Sequence, residues 1–356
     1  MSACNRCTML PALPIEASTL SMQVPAGYLQ AKLLTISDRA AFHCFEELPG
    51  ILTCDLDEGQ LDLLFDSLQS ELTIMEQQAV HCAFNTRGNH LHNATTVANA
   101  TLSAILAQRR NSWLTDLIHH KRLFTAFQPI VRTKGGKASS VFGYECLLRA
   151  RDAADNPLPP VQVFTSARAA DLLHQIDLAA RCAAVEAASA AHIEQHIFIN
   201  FNPAAIYDPE NCLASTIALI DEKGIAHDRV VFEIVESEHI GEISHLHAIL
   251  DFYREHGFLV AMDDLGSGFS SLRLLSEMRP DFVKLDMDLI RNVHRNPWKA
   301  VITSHMIEVA HDLCLPVIAE GIECREEADW LEEHGAEYQQ GFLHGYPAMM
   351  PIPSLV

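Results

Sequence analysis

Phe258-Leu259-Val260-Ala261-Met262-Asp263-Asp264-Leu265-Gly266-Ser267-Gly268 is the stretch on which the reading of the fold turns. A short apolar run, the pattern of a buried parallel strand, leads into two adjacent carboxylates and then a Gly-x-Gly turn. Successive residues of a strand point to opposite sides. Two neighbouring aspartates can therefore aim at one ionic centre only where the strand ends and the backbone turns. The glycines permit that turn, and Ser270-Ser271 offer a helix start after it. Paired acids at the end of a buried strand are costly without a counter-charge, and a divalent cation is their natural partner. A solvated Asp-Asp-Leu-Gly loop would carry the same letters, and the rest of the chain decides between the two.

Working outward, the chain from Phe127 onward alternates strand-like and helix-like segments. Short apolar runs fall at Ala126–Val131, Val141–Leu148, Ile197–Phe201, Val230–Val235, Phe258–Met262, Phe282–Leu285, Pro316–Ala319 and near Tyr338. Helical spacing falls between most of them, at Ile176–Ala191, Leu213–Lys223, Ile243–Glu255, Lys299–Leu313 and Glu326–His334. About eight βα units in this length predict an α/β fold, a (β/α)8 TIM-type barrel with its working groups at the strand carboxyl ends. A doubly wound open sheet is the alternative. It favours a glycine-rich phosphate fingerprint after the first strand, and none is present.

Polar residues recur where strand after strand stops. The second run ends in Glu145 with Arg149 behind it, the third at Asn200, and the fourth spans Glu233 and Glu236. The fifth gives Asp263 and Asp264, the sixth Lys284 and Asp286, the seventh Glu320 and Glu323, and the last region Gln340. Each alone reads as a surface charge or a helix cap; in a barrel they converge on one rim. Carboxylates with one amide oxygen are hard ligands, suited to Mg²⁺ or Mn²⁺. So many acids can hold two ions, the arrangement that favours in-line displacement at phosphorus. The lysine can orient a water or stabilise developing charge, and the arginine matches a phosphate bidentately.

The first 120 or so residues differ in character. A formal net charge of −21 over 356 residues argues against a nucleic-acid polymer or an anionic membrane as partner. No apolar run is long enough to span a bilayer, and the start lacks the pattern of a secretory signal. The ten cysteines are scattered and read as reduced thiols of a cytoplasmic protein. Cys4-Asn5-Arg6-Cys7 is a lone CxxC pair, short of the four ligands of a structural zinc site unless Cys44, Cys54, His81, Cys82, His90 or His92 complete it. Leu29 to Ile36 alternates in part as a strand would, and Asp57 to Ala79 has helical spacing. These predict a small α+β regulatory or sensory domain over residues 1–93, a connecting helix over 94–122, and the barrel over 123–356.

The barrel segment resembles the EAL-domain cyclic-di-GMP phosphodiesterases of bacterial signalling. The matching pieces are Gln128-Pro129-Ile130, Glu145-Cys146-Leu147-Leu148-Arg149, Asn200, Glu233-Ile234-Val235-Glu236-Ser237, Asp263-Asp264-Leu265-Gly266-Ser267-Gly268, Lys284-Leu285-Asp286, Ala319-Glu320-Gly321-Ile322-Glu323 and Gln340-Gly341-Phe342, with Pro347 behind. They run in family order across roughly residues 120–350. The resemblance implies a barrel that hydrolyses cyclic di-GMP to linear 5′-pGpG with two Mg²⁺ or Mn²⁺ ions. It implies Glu145, Asn200, Glu233 and Asp263 as ligands of one ion, and Asp263, Asp264 and Glu320 as ligands of the other. It implies Lys284 holding the nucleophilic water, Glu320 as general base and Glu236 steadying the loop after the aspartates. Gln128, Leu147, Arg149, Asp264 and Gln340 would contact the nucleotide, Glu323 and Gln340 would support the site, and the chain would form a homodimer through the barrel. Two departures stand out: Cys146 where the family has alanine, and Leu265 where it has phenylalanine. A catalytically silent cyclic-di-GMP receptor is the competing reading, and an unrelated Mg²⁺-dependent barrel hydrolase or lyase would fit the chemistry but not the ordered motifs.

Overall fold

The structure, a computed structural model, describes residues 18–352 apart from 26, 41, 58, 87–99, 136, 236–242 and 267–270. The chain divides into two compact units: Leu10–Asp116 with Val161–Leu172, and the remainder.

In the first unit, β1 (Ser18–Gln23), α1 (Tyr28–Arg39), β2 (Cys44–Leu48), β3 (Ile51–Leu56), α2 (Gln60–Glu71), α3 (Ile74–Ala79), β4 (His81–Thr86), β5 (Ala100–Thr101) and α4 (Leu102–Arg110) follow in order. The strands form an antiparallel sheet in the order β2-β3-β1-β4-β5. Leu20, Met22, Leu52, Leu56, Leu64, Phe65, Leu68 and Leu106 meet in its core. Several expectations are corrected here. Leu29–Ile36 is helix, because Leu29, Leu33, Ile36 and Ser37 bury one stripe at helical spacing. The helix expected over Asp57–Ala79 breaks at Leu72, where Thr73 caps a new one in a capping box with Glu76. Cys44 and Cys54, directly opposed across β2 and β3, are joined as a disulfide, so not all the thiols are reduced and this pair is not free to bind zinc. Cys4, Cys7, His90 and His92 lie outside the described residues.

Where one connecting helix was expected over 94–122, the described part holds β5, α4 and a separate α5 (Trp113–His119). Asn111 ends α4 by turning its side chain onto the Ala107 carbonyl, at 2.8 Å.

The second unit continues with β6 (Leu123–Lys134), β7 (Lys137–Arg151), β8 (Pro157–Leu158), α6 (Pro160–Ala169, most of which groups with the first unit), α7 (Leu173–Ala190), β9 (His196–Asn200), α8 (Pro209–Cys212), α9 (Ala214–Lys223) and β10 (Val230–Val235). Then come α10 (Ile243–Glu255), β11 (Leu259–Leu265), α11 (Ser271–Met278), β12 (Phe282–Leu285), α12 (Met287–Ile290), α13 (Pro297–Asp312), β13 (Val317–Ala319), α14 (Arg325–Glu333) and β14 (Tyr338–Gln340). Strands β7 and β9 to β14 are parallel neighbours, and β6 closes the ring between β14 and β7. The eight expected strands are present and the barrel is closed. Strand β6 runs antiparallel to both neighbours, because it joins β7 through a hairpin at Gly135 (φ 59°) instead of a crossover helix.

Side chains two apart on a strand share a face, and this period builds the barrel interior in layers. Ile130, Phe198, Val231, Ala261, Phe282, Ile318 and Tyr338 form one apolar layer. On β7 the same level is Gly143, where a Cβ would stand 2.9 Å from Phe198. Two residues further towards the rim, every strand presents a polar side chain: Gln128, Glu145, Asn200, Glu233, Asp263, Lys284, Glu320 and Gln340, the last two in the residue position closing or following the strand.

Candidate active site

Lys284 is the centre of that polar layer. Its side chain is 1% exposed, and Nζ lies 2.5 Å from Glu320, 2.9 Å from Glu233, 3.0 Å from Asp263 and 3.6 Å from Glu145. Glu145 is also fixed by amides: Gln340 donates to its Oε2 at 2.6 Å and Asn200 to its Oε1 at 3.0 Å. Gln340 reaches Gln128 Oε1 at 3.2 Å, and Gln128, cross-strand from Glu145, donates to the Gly345 carbonyl at 3.3 Å.

The two aspartates share the centre by a route that differs from the expected strand end. Strand β11 runs on to Leu265, and its register against β12 slips between Met262 and Leu265. Asp264 takes φ 55°, a left-handed conformation that Asp tolerates better than most residues. Asp264 N–H donates to Asp263 Oδ1 at 3.0 Å. A bulge thus brings both carboxylates to one side. Cys146 and Leu265 are both buried in the apolar core.

Oxygen donors of Glu145, Glu233 and Asp263 lie within 4.8 Å of one another, and so do those of Asp263, Asp264 and Glu320, so Asp263 is common to both groups. Five carboxylates share one ammonium. Burial pushes the Glu233, Asp263 and Glu320 carboxyls up despite Lys284, and burial with the charges of Asp263 and Asp286 pushes Asp264 up to about 7. Glu145 goes the other way. Burial opposes its ionisation, yet the Lys284 charge and the bonds from Gln340 and Asn200 hold it below the usual carboxylate value. Lys284, penalised by burial, is pushed well above the usual amine value by the acids around it. Glu233 Oε2 is buried with no hydrogen-bond partner. Hard oxygen donors, surplus negative charge and an orphaned carboxylate oxygen all fit divalent cations of the Mg²⁺ or Mn²⁺ kind.

A cleft of about 260 Å³ opens over this layer, walled by Asp286, Met287, Arg291, Glu323 and Phe342 besides the acids. Arg291 and Glu323 form an ion pair on its wall. Gly321 and Gly341 let the wall segments pack closely: a Cβ at Gly321 would strike Met287, and one at Gly341 the Ile322 backbone. Leu147 and Arg149 share the face of Glu145 on β7 but do not wall the cleft, and the Arg149 guanidinium donates to the Leu148 carbonyl at 2.8 Å. Glu236 lies outside the described residues. Met287 and Arg291 were not singled out from the sequence, and Phe342 entered only within the Gln340-Gly341-Phe342 match, since apolar or paired side chains in loops carry no periodic signal.

The EAL domain model matches residues 110–347. The chain belongs to the EAL-domain family. An EAL protein of Vibrio cholerae, solved in its c-di-GMP-bound form, is similar at 30% identity and TM-score 0.58, covering 65% of this chain and 95% of that one. The probable cyclic di-GMP phosphodiesterase PdeB of Escherichia coli is 28% identical over 65% of this chain and 44% of its own length. The Klebsiella pneumoniae BlrP1 structure matches 93% of this chain and 96% of that chain at 23% identity and TM-score 0.57, a likeness of fold. The chain spans between 29% and 45% of the length of the first curated relatives it matches. Among the described residues no helix is long and apolar enough to cross a membrane.

Proposed function

We propose that this chain is a metal-dependent phosphodiesterase that hydrolyses cyclic di-GMP to linear 5′-pGpG. The observation that carries this reading is the completeness of the polar layer: Lys284 is ringed by Glu145, Glu233, Asp263 and Glu320, with Asp264 and Asn200 beside them. Cyclic di-GMP is the ligand in the similar Vibrio cholerae structure, which supports the substrate.

Glu145, Asn200, Glu233 and Asp263 would hold one Mg²⁺ or Mn²⁺, and Asp263, Asp264 and Glu320 a second. Bound there, the ions supply a water of lowered pKa and positive charge against the phosphoryl oxygens. Lys284, immobilised by its carboxylates, positions the attacking water from the protein side and meets charge that develops on the phosphoryl group. Glu320 takes the water's proton as general base. Gln128, Gln340 and Asp264 contact the nucleotide at the mouth of the layer, Leu147 and Arg149 further along β7, and Glu236 steadies the segment after the aspartates. A homodimer is supported by the exposed apolar stripe of α13, where Trp298, Val301, Ile302 and Val309 face outward. Residues 1–93 would regulate the barrel.

Incubation of the protein with cyclic di-GMP and Mg²⁺ or Mn²⁺ tests the proposal. Formation of pGpG that disappears in Glu145→Ala and with chelator is the expected result. Tight binding without turnover in either metal would make the protein a receptor and overturn the enzymatic reading.

A further inference from the structure

A second group of donors, chemically unlike the first, lies outside the polar layer. A ring nitrogen of His294, Cys324 Sγ and a Glu327 carboxylate oxygen all lie within 4.8 Å of one another. His294 sits between α12 and α13; Cys324 caps α14 and Glu327 is in its first turn. Capping alone accounts for part of this, since Cys324 Sγ accepts the Glu327 N–H and Glu327 takes the Cys324 N–H in return. It does not account for His294. Both of its ring nitrogens are shielded from solvent and neither has a hydrogen-bond partner. A neutral imidazole carries one donor and one acceptor, and each polar group left buried and unpaired costs about 1–3 kcal/mol. The acceptor nitrogen has a lone pair and nothing to give it to.

Glu327 is prepared as a ligand. It is 2% exposed, with Oε1 accepting the Asn292 N–H at 2.7 Å and Oε2 those of Glu323 at 3.1 Å and Cys324 at 3.4 Å. Burial works against its charge, but these backbone donors hold its carboxyl below the usual value, so it is ionised at neutral pH. Such outer contacts fix ligand orientation in metal sites.

We propose that His294, Cys324 and Glu327 form a Zn²⁺-type site with a fourth position open to water. Nitrogen, thiolate and carboxylate in one set select a borderline metal, whereas Mg²⁺ and Mn²⁺ belong with the all-oxygen layer. The ion would tie the segment after β12, which carries Arg291, to the segment after β13, which carries Glu323. It would thereby fasten the ion pair on the cleft wall. This site does not depend on the phosphodiesterase reading.

Co²⁺ is the probe, titrated into the full chain carrying Cys4→Ser and Cys7→Ser, so that the CxxC pair contributes no band, with Mg²⁺ in excess to occupy the oxygen sites. The expected result is a near-ultraviolet thiolate-to-cobalt band that Zn²⁺ displaces. The band is lost in Cys324→Ser, and affinity falls at least about tenfold in His294→Ala. Serine keeps the helix cap, so the metal-free Cys324→Ser protein should melt with the wild type. No band in the wild type, a band that survives Cys324→Ser, or unchanged affinity in His294→Ala would each overturn the proposal.

Discussion

Lys284 and Arg181 are both buried cations of the barrel, and their surroundings differ in balance. Arg181 lies on α7 with one anion: its Nε donates to Asp177 Oδ2 at 2.8 Å, and both side chains are within 3% of full burial. Its Nη1 reaches the Thr216 hydroxyl, while Asp177 Oδ1 accepts the Asn202 N–H at 2.9 Å. One positive charge meets one negative charge, and the remaining polar atoms are used to pin the loop that follows Asn200. Lys284 has four carboxylates within 3.6 Å, Asp264 close behind, and an orphaned oxygen on Glu233. A buried pair that is neutral and saturated serves the architecture. A buried cluster with surplus acid needs something further to offset it, and on the proposed function that is a divalent cation.

The largest expected effect breaks the balanced pair. Arg181→Met leaves Asp177 buried without its counter-charge and should destabilise the barrel by about 3–5 kcal/mol. Denaturant unfolding measures it, and a loss below about 1 kcal/mol would show that the pair contributes no more than an exposed one. With Mn²⁺ bound to offset the acids, Lys284→Met should act on chemistry: turnover of cyclic di-GMP falls by about 10²–10³ with binding retained, as for loss of one preorganised charge donor. Wild-type kcat in that variant would remove Lys284 from the mechanism. Metal supply comes next. Mn²⁺ at about a hundred times its dissociation constant should stabilise the fold by about 2.7 kcal/mol, and chelator should reverse it. A melting temperature indifferent to metal would contradict the surplus-charge reading.

A smaller effect concerns a buried base. Burial, with the Arg325 charge, pushes the His344 imidazole down to about 4, and Gln339 Oε1 lies 3.0 Å from its Nε2. The unfolded chain takes up a proton near the ordinary histidine value while the folded one stays neutral. Stability is therefore present at neutral pH and lost as pH falls below the unfolded value, down to the folded one. His344→Gln should flatten this, removing about 1–2 kcal/mol of the stability change between about pH 7 and pH 5. An unchanged pH slope would show that His344 does not contribute to it.

The polar layer was legible because barrel strands alternate: each carries an apolar residue and, two further on, a polar one, as in Val231 and Glu233 or Phe282 and Lys284. The helices α7, α9, α10, α13 and α14 were legible for the same periodic reason. The antiparallel course of β6 was within reach, since Gly135-Gly136 between two apolar runs is a hairpin signal. The bulge at Asp263-Asp264 was not, because register against β12 is a property of two strands. The strand expected at Leu29–Ile36 fell to a helical stripe, Leu29, Leu33 and Ile36, that a short window disguises. Asp177 and Arg181 passed unremarked, because an i, i+4 charge pair on a helix usually faces solvent. Nor does spacing show that His294 and Cys324, far apart in sequence, meet.

The smallest stability change is the most discriminating. Glu233 is fully buried, held by Lys284 at 2.9 Å through Oε1 and unpartnered at Oε2. If its carboxylate were there to bind Lys284, Glu233→Gln would cost what breaking a buried pair costs, about 3–5 kcal/mol. If it belongs to a surplus, the neutral amide of the same shape relieves repulsion from Glu145 and Asp263, and Lys284 keeps three other carboxylates. The metal-free variant should then match the wild type or exceed it by up to about 1 kcal/mol, while the stabilisation by Mn²⁺ shrinks and turnover collapses. Stability and function would move in opposite directions at one residue. A metal-free Glu233→Gln protein destabilised as strongly as Arg181→Met would make the two clusters alike, and the acids around Lys284 would then be architecture after all.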